Sequence, residues 1–131
     1  MDYQHTSTNV HLVNYHLVFC PKYRRSILVG KIKERMEQIL NGVASDNGWD
    51  ILAIEIMPDH VHLSVSADTR TKPEIVVKRF KGRSSHILRE EFPELLKMPT
   101  LWTRSYFLCT AGNVSSDVIQ KYIESQWGRK F

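Results

Sequence analysis

An α+β fold, with helices covering one face of an antiparallel sheet, follows from three features of the 131-residue sequence. Runs rich in Val, Leu, Phe and Tyr at residues 10–20 and 104–110 have strand character, and residues 52–66 (LAIEIMPDHVHLSVS) alternate as a hairpin does. Between them, residues 31–47 and 73–91 carry apolar side chains at spacings of three and four, the mark of amphipathic helices. The order strand, helix, hairpin, helix, strand is that of a ferredoxin-like or RRM-like sandwich, here followed by one further helix. A chain of this length fits a single domain, residues 1–131, and can bury a core without disulfides or a structural metal.

The first strand, VHLVNYHLVFC, puts Val13, Tyr15, Leu17 and Phe19 on one face and Asn14 and His16 on the other. Pro21 ends it. Lys22, Tyr23, Arg24 and Arg25 then set an aromatic ring among three cations, which suits phosphate contacts with base stacking beside them. An ordinary solvated loop is the alternative. The first helix buries Ile32, Met36, Ile39, Leu40 and Val43, stops near Asn47-Gly48, and carries nothing that suggests chemistry. Trp49 leads into the hairpin from the edge of the core.

The hairpin turns at Pro58 and Asp59 and pairs Ile56 with Val61, Ile54 with Leu63 and Leu52 with Val65, all on one face. Its other face then carries Met57, Glu55, Ala53, His60, His62, Ser64 and Ser66, with Glu55 across from His62. Pro-Asp is poor chemistry for a two-residue turn, but a four-residue loop over residues 57–60 keeps the same pairing. His60 and His62 are roughly 6.6 Å apart along the strand, close enough for two imidazoles to lean onto one metal ion if a third ligand comes from elsewhere. Two histidines on a solvated sheet face that bind nothing remain the simpler alternative.

Pro73 suits the first turn of the second helix, whose buried stripe comprises Ile75, Val76, Phe80, Ile87 and Leu88. Lys78, Arg79, Lys81, Arg83 and Arg89 are left for solvent or nucleic acid. Gly82 weakens the helix by roughly 1 kcal/mol relative to Ala, so a break or kink is expected over residues 81–85. The G-x-x-x-x-G-K-[ST] spacing is absent, and no nucleotide cofactor is indicated. Phe92-Pro93 stops the helix, and a connector holding Trp102 leads to the strand at 104–110. A turn at 111–113 opens the last helix, capped at Ser115 or Ser116. There Ile119, Tyr122, Ile123 and Gln126 are neighbours, with Tyr122 and Gln126 one turn, roughly 6 Å, apart.

Charge points to a polyanion. The chain has 18 basic and 14 acidic residues, net +4, and residues 70–89 hold seven Lys or Arg against the single acid Glu74. Cys20 and Cys109 lie in apolar runs without a C-x-x-C pattern and read as reduced core thiols. No signal peptide or membrane span is recognisable, so a cytoplasmic location without membrane partners is expected.

His-Val-His on a central strand together with Tyr-x-x-x-Gln on a C-terminal helix resembles the single-tyrosine HUH transposases of the smallest bacterial and archaeal insertion sequences. The resemblance covers nearly the whole chain. It includes Tyr15-His16 leading to Pro21-Lys22-Tyr23-Arg24, Met57 through Leu63, Lys81-Gly82 with the serines after it, Leu101-Trp102, Tyr106-Phe107 running to Gly112, and Tyr122-Ile123 through Gln126. The five-residue tail after Gln126 is short for that family.

The resemblance implies that Tyr122 is the nucleophile, that His60, His62 and Gln126 bind Mg²⁺ or Mn²⁺, and that the substrate is single-stranded DNA with subterminal hairpins. It implies cleavage through a 5′-phosphotyrosine and rejoining without ATP, in a homodimer whose active sites are shared between subunits. Glu55 is a candidate for orienting an imidazole. Candidate DNA contacts are Lys22, Tyr23, Arg24, Arg25, Lys78, Arg79, Lys81 and Arg83. Competing readings are a noncatalytic single-stranded nucleic-acid binder, an HUH replication initiator or relaxase, and a domesticated host transposase.

Overall fold

The computed structural model describes residues 11–110 and 115–127. The start of the first predicted strand, the turn at 111–113 and the end of the C-terminal tail lie outside them. Strands β1 (Leu12–Phe19), β2 (Asp50–Met57), β3 (His60–Asp68) and β4 (Phe107–Thr110) alternate with helices α1 (Gly30–Asn47) and α2 (Pro73–Glu91), and α3 (Ser116–Trp127) follows. The sheet is antiparallel in the order β2-β3-β1-β4, the ferredoxin-like arrangement that the sequence predicts. Among the described residues, no helix is long and apolar enough to cross a membrane.

Strand periodicity sorts the sheet into two faces. Tyr15, Leu17 and Phe19 of β1 join Val61, Leu63, Val65 and Ala67 of β3 in the core, against Met36, Ile39, Leu40 and Val43 of α1 and Val76, Val77, Phe80 and Leu88 of α2. A fully buried leucine or phenylalanine contributes roughly 1.5–3 kcal/mol by leaving water, so this layer dominates the stability. Trp49 is buried, with its indole N–H donated to Asp68 Oδ1 at 3.0 Å. That bond satisfies the ring's polar atom at the edge of the core.

The hairpin departs from the expected register at one place. Ile56 faces Val61 and Ile54 faces Leu63 as predicted, but Ile51 rather than Leu52 faces Val65, because the pairing shifts between Ile51 and Ala53. Leu52 is the extra residue of a bulge and is exposed. The slip is harmless to the site, since Glu55 still faces His62 and Met57 faces His60. Pro58 and Asp59 make the turn alone, and neither is among the positive-φ residues, so the turn is not of the primed kind that usually closes a two-residue hairpin. The Pro58 carbonyl accepts the Leu28 N–H at 3.0 Å, which ties the hairpin tip to the segment before α1.

The expected break at Gly82 does not occur: α2 runs unbroken from Pro73 to Glu91. Ser84 turns inward instead, donating to the Phe80 carbonyl at 2.7 Å and accepting the Trp102 indole N–H at 3.0 Å. A glycine costs a helix about 1 kcal/mol, which packing of Phe80 and Leu88 on either side outweighs. Val77 and Ser84 are buried in place of Ile75 and Ile87, which are only half-buried. The last strand is shorter than predicted, beginning at Phe107; residues 103–105 before it are held by the Thr103 N–H bond to the Cys20 carbonyl and by the side chains of Lys81 and Thr103.

Candidate active site

The face of the sheet turned away from α1 and α2 is polar at its centre. His60, His62 and Ser64 of β3, Glu55 of β2 and His16 of β1 share it, as alternation along paired strands requires. His60 and His62 are partly exposed, with side-chain exposures of 15% and 22%, so the imidazoles are not sealed among aliphatic groups. His60 Nδ1 lies 3.0 Å from Asp59 Oδ1, which fixes the ring and leaves Nε2 for another partner. His62 Nε2 is 3.4 Å from His16 Nδ1, itself 3.2 Å from Ser64 Oγ. Glu55 Oε1 stands 3.8 Å from His62 Nδ1, beyond hydrogen-bond length but close enough for electrostatic steering. Burial, then the neighbouring His16, pulls the His62 pKa below its ordinary value, so the ring favours its neutral, ligating form.

Tyr122 comes to this same face. One row crosses all four strands as Glu55, His62, Val18 and Phe107, and the Tyr122 ring lies 6.0 Å from the Phe107 ring. His62 and Phe107 are two strand spacings apart, about 9.5 Å. Ser115 Oγ accepts the Val118 N–H at 3.2 Å and caps α3, as the sequence predicts. Gln126, one turn beyond Tyr122, is buried, and its Oε1 accepts a hydrogen bond from Ser105 Oγ at 2.8 Å. The same serine oxygen is 3.1 Å from the Tyr122 hydroxyl. A cavity of about 410 Å³ opens here, lined by Lys22, Tyr23, Thr103, Arg104, Ser105 and Gln126.

Arg24 links the two halves. Its Nε is 2.8 Å from Asp59 Oδ2, while its Nη1 donates to the Ile123 carbonyl of α3 at 3.1 Å. Asp59 thereby touches His60 with one oxygen and Arg24 with the other. The backbone at this corner is left-handed at two successive residues that are not glycine, Tyr23 (φ 61°) and Arg24 (φ 52°). Such conformations cost of order 1–3 kcal/mol each and persist where surrounding contacts impose them. Arg24→Ala is expected to loosen α3 while leaving the sheet intact. Hydrogen exchange would show lost amide protection over residues 119–126 alone; unchanged protection there would assign the helix's docking to other contacts.

Three of the expected DNA contacts, Lys81, Arg24 and Arg79, are already hydrogen-bonded or ion-paired within the protein, and Arg83 stands 3.7 Å from Asp46. The Lys81 ammonium donates to the carbonyls of Thr103 at 2.7 Å and Ser105 at 3.3 Å, with that of Arg104 at 3.4 Å, and burial pulls its pKa down to about 8. It supports the 103–105 segment. Arg24 is committed to Asp59 and Ile123. Arg89 likewise donates to the Met98 carbonyl at 3.0 Å. Lys78 and Arg83 are exposed, whereas Arg79 is hydrogen-bonded to Asn47 and sits 5.9 Å from the Trp49 ring. Lys22 and Arg25 flank the Tyr23 ring at 5.4 and 5.9 Å.

His16, Asp59 and Ser105 escaped the sequence reading as site residues. His16 had a signal, its place on the polar face of β1, but which strand lies beside β3 is a tertiary fact. Ser105 had none.

The comparisons decide the family. The family profile described as "Transposase IS200 like" matches residues 9–126. The chain belongs to the IS200-like transposases. Within that family it is 38% identical to the ISDra2 transposase TnpA of Deinococcus radiodurans over 120 residues, covering 89% of this chain and 86% of that protein. It is also 31% identical to the transposase for insertion sequence element IS200 of Salmonella typhimurium, covering 86% and 75%. A crystal structure of a putative transposase from Deinococcus radiodurans superposes with a TM-score of 0.85 at 35% identity, covering 96% and 98% of the two chains. The fold is shared as well with a REP-associated tyrosine transposase bound to a REP hairpin, with a TM-score of 0.60 at 13% identity over 97% and 75%. An IS200-like transposase acts on DNA, and the noncatalytic binder loses its ground as the leading alternative.

Among the described residues, no three of His, Cys, Asp or Glu converge as a metal-binding group. The amide oxygen of Gln126 is a chemically suitable donor beside two imidazoles, and such a set leaves coordination positions for phosphate and water.

Proposed function

We propose that this transposase cleaves and rejoins single-stranded DNA at the ends of a mobile element, with Tyr122 as nucleophile and His60, His62 and Gln126 as ligands of Mg²⁺ or Mn²⁺. The observation that supports it best is that the Tyr122 ring packs 6.0 Å from Phe107, which shares a sheet face and a cross-strand row with His62. The phenol oxygen attacks phosphorus, the bond to the 3′ oxygen breaks, and a 5′-phosphotyrosine and a free 3′-hydroxyl result. One phosphodiester replaces another of similar energy, so a 3′-hydroxyl on another strand can reverse the step and join new ends without ATP. A bound divalent ion supplies charge neutralisation on the nonbridging oxygens and in-line alignment. A phenol titrates near about 10, so the tyrosine needs assistance in losing its proton at neutral pH.

The cavity beside Gln126, edged by Lys22, Tyr23 and Arg104, is the natural approach for the DNA backbone. Subterminal hairpins are gripped by the exposed cations of α2, a reading supported by the REP hairpin bound to the more distant transposase of the same fold. The functional unit is a homodimer in the cytoplasm, sheets joined edge to edge. Among the described residues Arg24 and Ser105 hold α3 on its own chain, and in the shared-site dimer the helix of a second copy would take that seat.

Incubating the protein with end-labelled hairpin DNA bearing single-stranded flanks and Mn²⁺ or Mg²⁺ tests the reading. A denaturant-resistant protein–DNA adduct is the expected product, and binding without any adduct would restore the noncatalytic alternative. For hairpin binding, Lys78→Ala and Arg83→Ala should each lower the salt slope by roughly 0.9 per lost phosphate contact, whereas Lys81→Ala should leave it unchanged. Wild-type slopes in all three variants would remove α2 from the DNA interface.

A further inference from the structure

Ser105 lies in the half-buried segment before β4 and belongs to no strand. Its single hydroxyl hydrogen is donated to Gln126 Oε1 at 2.8 Å, so the 3.1 Å contact with Tyr122 requires the phenol to donate and the serine oxygen to accept. One atom thus holds two side chains that lie a helical turn apart. The segment beneath it is built with unusual care: Thr103 N–H donates to the Cys20 carbonyl at 2.9 Å, Thr103 Oγ1 donates to the Ser105 carbonyl at 3.2 Å, and Lys81 reaches across from α2. Bringing an ammonium into a partly buried position is costly unless carbonyl oxygens receive it, and here they do.

We propose that Ser105 is a positioning residue that sets the rotamers of Tyr122 and Gln126 together, and that Lys81 builds the platform that keeps Ser105 in place. The inference rests on the reading of Tyr122 as nucleophile and Gln126 as ligand. Ser105 touches neither the DNA nor the ion in this role. It converts the docking of α3 into a fixed spacing between the attacking oxygen and the amide oxygen. Without it, each side chain samples its own rotamers, and the productive pair becomes a fraction of the population.

The test uses the full chain labelled with meta-fluorotyrosine, with the Tyr122 fluorine line identified by its absence in Tyr122→Phe. In the protein without DNA or added metal, Ser105→Ala and Lys81→Met are expected to shift the Tyr122 line. Ser105→Thr, which keeps a hydroxyl, should restore it. With the end-labelled hairpin and Mn²⁺, the adduct rate at saturating DNA should fall about tenfold in Ser105→Ala at an unchanged half-saturating DNA concentration, and recover in Ser105→Thr. A Ser105→Ala line superposing on the wild type, or a rate that Ser105→Thr fails to recover, would overturn the proposal. A wild-type protein that forms no adduct refutes the catalytic reading instead, while the fluorine lines still decide whether the serine holds the phenol.

Discussion

Tyr122→Phe is expected to eliminate the denaturant-resistant adduct, a loss of at least about 10⁴-fold, because no other oxygen of the side chain can form the phosphotyrosine bond. The substitution is a clean one. Phenylalanine keeps the ring that packs 6.0 Å from Phe107, and the Ser105 hydroxyl keeps its bond to Gln126. Folding and hairpin binding should therefore persist, which gel-shift titration would verify beside the adduct assay. An adduct that survives in the variant would move the nucleophile elsewhere on the chain.

Removing both imidazoles should be nearly as severe. His60→Ala with His62→Ala is expected to abolish Mn²⁺ binding measured by calorimetry and to reduce the adduct roughly 10³-fold, as losing several kcal/mol of transition-state charge stabilisation demands. Stability should change by only about 1 kcal/mol, because both side chains lie on the face opposite the core. Calorimetry that finds the ion still bound, with the same stoichiometry, would place the metal away from the hairpin. A large drop in thermal stability would show that the histidines serve the fold.

Much of this was legible in the order of residues. Alternation along β3 places Val61, Leu63 and Val65 inward and His60 and His62 outward whatever the neighbours, so the paired imidazoles could be read from period alone. The spacing of Tyr122 and Gln126 follows equally from helical geometry. What period cannot supply is adjacency between distant segments. That His16 lies 3.4 Å from His62 depends on β1, separated from it by 46 residues, entering the sheet beside β3. The Leu52 bulge was missed because a run of apolar residues is consistent with either register, and the shift is absorbed at the exposed end of the strand. Charge alone does not show which cations the fold engages. Lys81 and Arg24 look like their neighbours in the sequence, but carbonyl oxygens and an aspartate claim them in the fold.

The corner at Tyr23 and Arg24 sets thermal endurance against competence. Tyr23→Gly would relax a backbone angle that a side chain resists, and the domain should melt later for it. The same substitution would remove the ring that Lys22 and Arg25 flank at the cavity beside Gln126, so a lineage selected only for heat tolerance would surrender that aromatic surface at this bend.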